Sequence, residues 1–289
     1  MSALLPVVGV VLIGAALYDI FHTLFHPMGH GSLSGFVMKA VWKLSRALAK
    51  HYHRIISIAG AMLFGSAILL WSTMLWLGFA LIFTPLNHSA GSTDAPPFVD
   101  ALYRSACFLT TFSAEVPFEH AHPWARLLVP LESAFGLMVA TASISWVMAM
   151  QPILRHRRGF AHGMRAVFDA MDDEGGVSQV PASELADALG RIARELLQIR
   201  SDLRHTPGAY YFHAEDEQMS VPAILPRLLE FARAAMERPE PEVRIRARML
   251  LRSLDNLAAT VRENYLEDAP KYERPEKTVA RWRRDHLKA

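Results

Sequence analysis

The sequence predicts an all-α membrane protein: three transmembrane helices, a re-entrant helix and loop between the second and third, and a cytoplasmic helical domain. Three observations carry this. Hydrophobic residues make up 52% of the 289, and they crowd into the first half. There, three stretches reach the roughly 20 apolar residues needed to cross a hydrocarbon core. Between the last two lies Asp100 to Gly136, an apolar run with a polar interruption. Backbone at bilayer depth that is neither helix nor barrel is tolerated only where protein covers it or it lines a water-filled path. From about residue 159, apolar residues recur at alternating threes and fours among charges, the mark of packed amphipathic helices.

The first span is expected over 4–25. A cleaved signal peptide would need a basic start and a shorter apolar core; no Lys or Arg precedes Lys39, so a retained span is expected. Asp19, His22, His26 and His30 fall near its inner end at helical spacing. They fit a metal site in principle or interfacial polar residues capping the span; Pro27 and the glycines at 29 and 31 break the helix within the cluster, and no metal is expected. Residues 32–53 form an amphipathic helix with Phe36, Val37, Ala40, Val41, Leu44 and Leu48 on one face and Lys39, Lys43, Arg46 and Lys50 on the other. Such a helix lies in the headgroup plane or packs on protein; the first is preferred, with an anionic inner leaflet as partner.

The second span covers 55–84, longer than the bilayer needs, so tilt or an outward extension follows. Trp71 and Trp76 sit away from its ends and are expected to pack on neighbouring helices. A polar loop follows, in which Asp94 can cap the next helix and Pro96 or Pro97 suits its first turn. That helix, about 98–109, is too short to span and must dip in and return. Cys107 on it is expected to be buried. As the only cysteine, it excludes an intrachain disulfide. The third span covers 124–151 with Gly136 in its middle, a site for bending or close packing. Pro152 and the cluster Arg155–Arg158 are expected to end it. The domains are thus 1–54 (first span and basic helix), 55–151 (second span, re-entrant helix, loop, third span) and 152–289 (helical domain with a mobile tail beyond about Asp268).

In the last domain three stripes are expected to face a core: Leu185, Leu189, Ile192, Leu196, Ile199, Leu203; Ile224, Leu228, Phe231, Ala235; and Val243, Ala247, Leu250, Leu254, Leu257, Val261. One segment there, Asp172 to Glu184, is similar to a calcium-binding EF-hand loop. Counted from Asp172, Gly176 comes one place early for the required glycine and Glu184 one place late for the bidentate glutamate. Gly175-Gly176 stopping one helix and Pro181 starting another is the preferred reading, and calcium binding is not expected. No phosphate loop, nucleophile elbow, zinc-protease motif or dinucleotide fingerprint occurs, so no enzyme is expected. The net charge of +2 gives no nucleic-acid signal.

The segment from Asp100 to Gly136, with its flanks, resembles the pore loop of the potassium-channel family. The matching residues are Phe98, Asp100-Ala101-Leu102-Tyr103 and Ser105, then Leu109-Thr110-Thr111 and Pro117, then Arg126-Leu127-Leu128, Leu131-Glu132 and Gly136-Leu137. The resemblance implies a homotetrameric cation channel built on a bacterial two-span pore module with an extra N-terminal span. It places the filter at Thr110, Thr111, Phe112, Ser113, Ala114 and Glu115, the outer mouth at Glu119, His120 and His122, and a possible gating hinge at Gly136. One loop per chain cannot enclose a pore, so symmetry must supply the rest. No bound cofactor is implied, only permeating monovalent cations.

The family's filter is glycine-rich after the threonine pair; this chain has Phe112-Ser113-Ala114-Glu115. Rings of backbone carbonyls replace the water around the ion, and their alternating backbone favours glycine. Each L-residue forced to positive φ costs roughly 1 kcal/mol or more. The outer carbonyl rings are therefore expected to be lost and K⁺ selectivity to be weak. Four copies of Glu115 could form a carboxylate ring on the axis, or each could point behind the filter. His120 and His122 could titrate near neutral pH or be plain exposed loop residues. A non-conducting sensor or scaffold acting through the helical domain is the alternative.

The basic segment from Lys39 to Arg54 contains no acid, whereas 86–124 holds Asp94, Asp100, Glu115 and Glu119 against Arg104. The positive-inside rule then puts the first loop in the cytoplasm. An inner-membrane protein with N-terminus outside and C-terminus cytoplasmic is expected.

Overall fold

A computed structural model describes residues 4–25, 31–49, 54–87, 96–112, 123–173, 175–212, 220–266, 269–270 and 272–286. Among these the regular structure is helical: α1 (Leu4–Phe25), α2 (Ser32–Ala49), α3 (Arg54–Asn87), α4 (Pro97–Leu109), α5 (Pro123–Asp173), α6 (Ala182–His205), a short 3₁₀ helix η1 (Pro207–Tyr211), α7 (Val221–Met236), α8 (Pro241–Tyr265) and α9 (Pro275–His286). Three of them, α1, α3 and α5, are long and apolar enough to cross a membrane, over Leu4–Leu24, Ile58–Leu86 and Leu127–Asp173. The chain forms two compact units. One comprises Met1–Val41 and Met62–Ala149; the other comprises Trp42–Ala61 and Met150–Ala289.

In the first unit, α1 and α3 approach backbone to backbone. A Cβ on Gly9 would lie 2.4 Å from the Gly78 carbonyl oxygen. Small residues at such a crossing let apolar helices gain close van der Waals contact, the main attraction left where lipid is as apolar as the partner. Around α4, Phe79 and Phe83 of α3 and Ala101 of α4 form a buried cluster, with Phe108, Leu128, Val129 and Phe135 packed against it. Toward the C-terminal end of α1, Asp19 is buried and fully engaged. It accepts the Leu33 and Ser34 backbone N–H at 2.9 and 3.1 Å and the Trp71 indole N–H at 2.8 Å. It thus caps the orphan donors of the first turn of α2. Gly31 is required there, because a Cβ would meet the Asp19 carboxylate at 2.1 Å. Of the four residues weighed for a metal, Asp19 is spent on this cap and His26 and His30 lie outside the described residues.

On α2 the protein covers a face other than the apolar one. Ser34, Met38, Trp42 and Ser45 are buried, a stripe at steps of four and three that mixes small polar with apolar side chains. The apolar face expected to meet the headgroup plane is uncovered by protein: Phe36 is 72% exposed and Leu44 59%. Protein takes one face and leaves the bulky apolar one uncovered.

In the second unit, the three expected stripes are buried on α6, α7 and α8 without exception, and α6 with α8, α7 with α8, and α9 with α7 and α8 are the packing pairs. Two expectations fail. The helix of the third span does not end at Pro152 or the arginine cluster; α5 continues for 51 residues to Asp173. Only the apolar run ends there. Past the apolar run the same helix continues as an amphipathic one, with Phe160, Met164 and Phe168 buried. The tail is also not featureless, because α9 buries Thr278, Val279, Trp282 and His286. Two of those four are not apolar by type, which hid the period.

Gly175 and Gly176, at φ 82° and 88°, stop α5, the Gly176 N–H bonding the Met171 carbonyl at 2.8 Å. Asp172, the first oxygen of the calcium-like loop, is paired with Arg227 of α7, whose guanidinium also lies 4.8 Å over the Phe168 ring. Glu184 is in the first turn of α6.

The five residues of η1 and the residue after it form a platform inside this unit. Arg157 of α5, buried, donates to the Ala209 carbonyl at 2.5 Å. Tyr211 packs edge-on against Trp42 of α2 at 5.2 Å, and the Phe212 ring lies where a Cβ on Gly60 of α3 would stand, 2.7 Å away. Tyr210 stacks on Tyr265 at 4.2 Å and donates its hydroxyl to Asp285 of α9 at 2.6 Å, which also pairs with Arg46 of α2 at 2.7 Å. Burial, then the neighbouring Asp285 charge, pushes the Tyr210 phenol well above its ordinary pKa; burial does the same to Tyr265.

Candidate functional site

The site is built on α4. Pro97 opens the helix, where a missing N–H costs nothing, and Asp100 sits in its first turn, suited to the positive end of the helix dipole. Asp100 also accepts from Arg104 at 2.7 Å, one turn on. The helix has 13 residues, about 20 Å at 1.5 Å per residue, too short for a hydrocarbon core of about 30 Å.

Its C-terminus is closed by a specific turn. The Thr111 N–H bonds the Phe108 carbonyl at 3.1 Å and the Phe112 N–H bonds the Cys107 carbonyl at 2.8 Å. These are the two bonds of a Schellman motif, whose left-handed residue is usually glycine. Here that residue is Thr111, at φ 55°, the one non-glycine with positive φ among the described residues. A β-branched side chain in that conformation is strained by roughly 1–2 kcal/mol. The Thr110 hydroxyl donates to the Ala106 carbonyl of its own helix at 2.7 Å. Phe112 is 67% exposed.

Of the expected filter residues, the structure therefore brings Thr110, Thr111 and Phe112 into one turn at the C-terminus of α4. Ser113, Ala114 and Glu115, and the mouth residues Glu119, His120 and His122, lie outside the described residues, as does Asp94. Gly136 lies beside this turn: a Cβ on it would be 1.9 Å from the Leu109 carbonyl oxygen. Of the two uses of that glycine, close packing is the one the geometry displays, and α5 runs through it as helix.

Trp76 packs on a neighbouring helix, as expected, while the other contacts that hold α4 in place carry no signal in the sequence beyond Glu132. The Trp76 indole of α3 donates to the Leu102 carbonyl at 2.8 Å. The Ser133 hydroxyl of α5 donates to the Phe108 carbonyl at 2.9 Å. Ser105, wholly buried, has its hydroxyl 2.9 Å from the Trp76 carbonyl and 2.5 Å from a carboxyl oxygen of Glu132 on α5, itself fully buried. A signal for Glu132 existed: an ionisable residue within an apolar span is a functional candidate by default. Cys107 is buried in the same helix, as expected.

These features define an all-helical membrane protein with three candidate spans and a short helix gripped between two of them. The chain is 24% identical over 162 residues to the uncharacterized membrane protein YdjJ of Bacillus subtilis (strain 168); the match covers 55% of this chain and 47% of that protein. The chain thus matches less than half of that relative's length. No family model matches, and no solved structure matches.

Proposed function

We propose that the chain is the subunit of a homotetrameric cation channel of potassium-channel-like architecture with an altered filter and weak preference for K⁺. The observation that carries the reading is α4. It is a helix too short to span, held against two span-length helices, and it delivers a threonine pair at its C-terminus. The C-terminal end of a helix carries partial negative charge, and pointing such ends at a shared axis favours a cation there.

Two further features support it. In the apolar window of α5 11% of the residues are buried by the protomer, against 44% in α3, so α5 has the larger surface left for other copies and lipid. The uncovered apolar face of α2, beside Lys39 and Lys43, suits the anionic inner leaflet, which agrees with an external N-terminus and a cytoplasmic second unit. In this reading Ser113 and Ala114 cannot rebuild glycine-dependent carbonyl rings, and Glu115 supplies charge instead.

One observation favours a second reading, a pore-like sensor that does not conduct. The η1 platform ties residues of α2, α3, α5 and α9 together, an arrangement suited to passing a signal. The experiment is reconstitution of the purified chain in liposomes, with chemical cross-linking to count subunits and flux assays for K⁺, Na⁺ and Ca²⁺. Tetramers with K⁺ and Na⁺ flux are expected; tetramers that pass none of the three would favour the sensor.

A further inference from the structure

Glu132 and Ser105 pose a question of proton inventory. A serine hydroxyl has one proton to donate and lone pairs to accept with. Ser105 has two oxygen neighbours at bonding distance, the Trp76 carbonyl at 2.9 Å and Glu132 Oε1 at 2.5 Å. The carbonyl can only accept. If Ser105 donates to it, the second contact needs a proton from the carboxyl. If Ser105 instead donates to the carboxyl, two oxygens face each other at 2.9 Å with no hydrogen between them. Only the first arrangement satisfies both contacts, and 2.5 Å is at the short end of the O–H···O range.

The surroundings agree. Glu132 is fully buried and its Oε2 has no hydrogen-bond partner among the described residues. A buried carboxylate without a cation or a full set of donors is far costlier than the neutral acid. The nearest cation in sequence on the facing helix, Arg104, is paired with Asp100.

We infer that Glu132 is held as a neutral carboxylic acid and is a positioning residue: it donates to Ser105, Ser105 donates to Trp76, and this relay fixes α4 against α3 and α5, and with α4 the turn of Thr110 and Thr111 that would face permeating cations. The second half rests on the channel reading above. Together with the Ser133 bond to Phe108 and the seat of Leu109 on Gly136, the relay sets the depth and rotation of a helix too short to be held by its own length.

The test uses the full chain in liposomes at neutral pH. An infrared difference spectrum between wild type and Glu132→Gln is expected to contain the C=O stretch of a protonated carboxyl; carboxylate bands alone would overturn the inference whatever the flux. Reversal potential and flux under K⁺/Na⁺ gradients give the second readout. The amide of Glu132→Gln can still donate to Ser105, so this variant is expected to keep the wild-type reversal potential. Glu132→Ala and Ser105→Ala are expected to shift it and to lower flux on the order of tenfold. A Gln variant that shifts as far as Ala would overturn the positioning role. A wild type that carries the carboxyl band but no current marks the failure of the channel reading, not of the relay.

Discussion

Two short helical pieces, α4 and η1, are the points on which the longer helices converge, and both combine rings with polar contacts in a different balance. Beside the ring cluster on Phe108, α4 is gripped by polar contacts spread along it and one bare glycine: Trp76 to Leu102, Ser105 to Glu132, Ser133 to Phe108, and Gly136 against Leu109. The 3₁₀ helix η1 is gripped by rings: Tyr211 on Trp42, Tyr210 on Tyr265, Phe212 over Gly60. In the proposed membrane reading the difference follows from the solvent. Where lipid surrounds the helices, burying another apolar side chain gains little, so close backbone approach and single hydrogen bonds do the positioning. Where water surrounds them, each buried ring removes a large apolar area and dominates.

The largest expected effect lies at the aromatic end. Trp282 is wholly buried on α9, and Trp282→Ala is expected to cost about 3–5 kcal/mol in the second unit. Hydrogen exchange of the detergent-solubilised chain should lose protection in α9 and η1 while α4 keeps its own. Equal loss in α4 would show that the two regions do not stand on separate interactions.

At the other end, Gly136→Ala puts a methyl where the Leu109 carbonyl is, and overpacking of about 1–3 kcal/mol is expected. Protection should fall at the C-terminus of α4 and not in η1. The smallest effect is a gain. Thr111→Gly removes a β-branched side chain from the left-handed region and should raise stability by about 1 kcal/mol, read as a higher Tm. Thr110→Gly should lower it, since Thr110 sits at φ −87° and its hydroxyl is bonded. Two variants moving the same way would contradict the assignment of the turn.

How far the sequence could be read follows the same division. Stripes of Leu, Ile and Val on α6, α7 and α8 are periodic by type, and every expected member is buried. The spans were legible from length and apolarity, and α4 from its position between two of them. What stayed hidden was held by residues without a period. Thr278 and His286 mask the buried face of α9. The stripe Ser34, Met38, Trp42, Ser45 on α2 is weaker in hydropathy than the exposed stripe beside it. Pro152 reads as a helix end, since it removes one hydrogen bond, yet α5 passes through it. In the candidate site, resemblance to a pore frame points to Thr110, Thr111 and Gly136 but not to the left-handed turn at Thr111, and Trp76 was legible as packing on a neighbouring helix, whereas Ser105 and Ser133 make contacts between helices that no single segment discloses.

In the proposed channel, cations pass along an axis where Glu115 charge stands in for glycine-dependent carbonyl rings. The most direct measurement is the reversal potential of the reconstituted chain under K⁺/Na⁺ gradients, wild type beside Glu115→Gln and Glu119→Gln. Wild type is expected to conduct both ions with little preference, Glu115→Gln to lower cation flux strongly, and Glu119→Gln to do less. A wild-type K⁺ preference above about a hundredfold, untouched by Glu115→Gln, would mean that a full carbonyl filter forms without its glycines and would contradict the account.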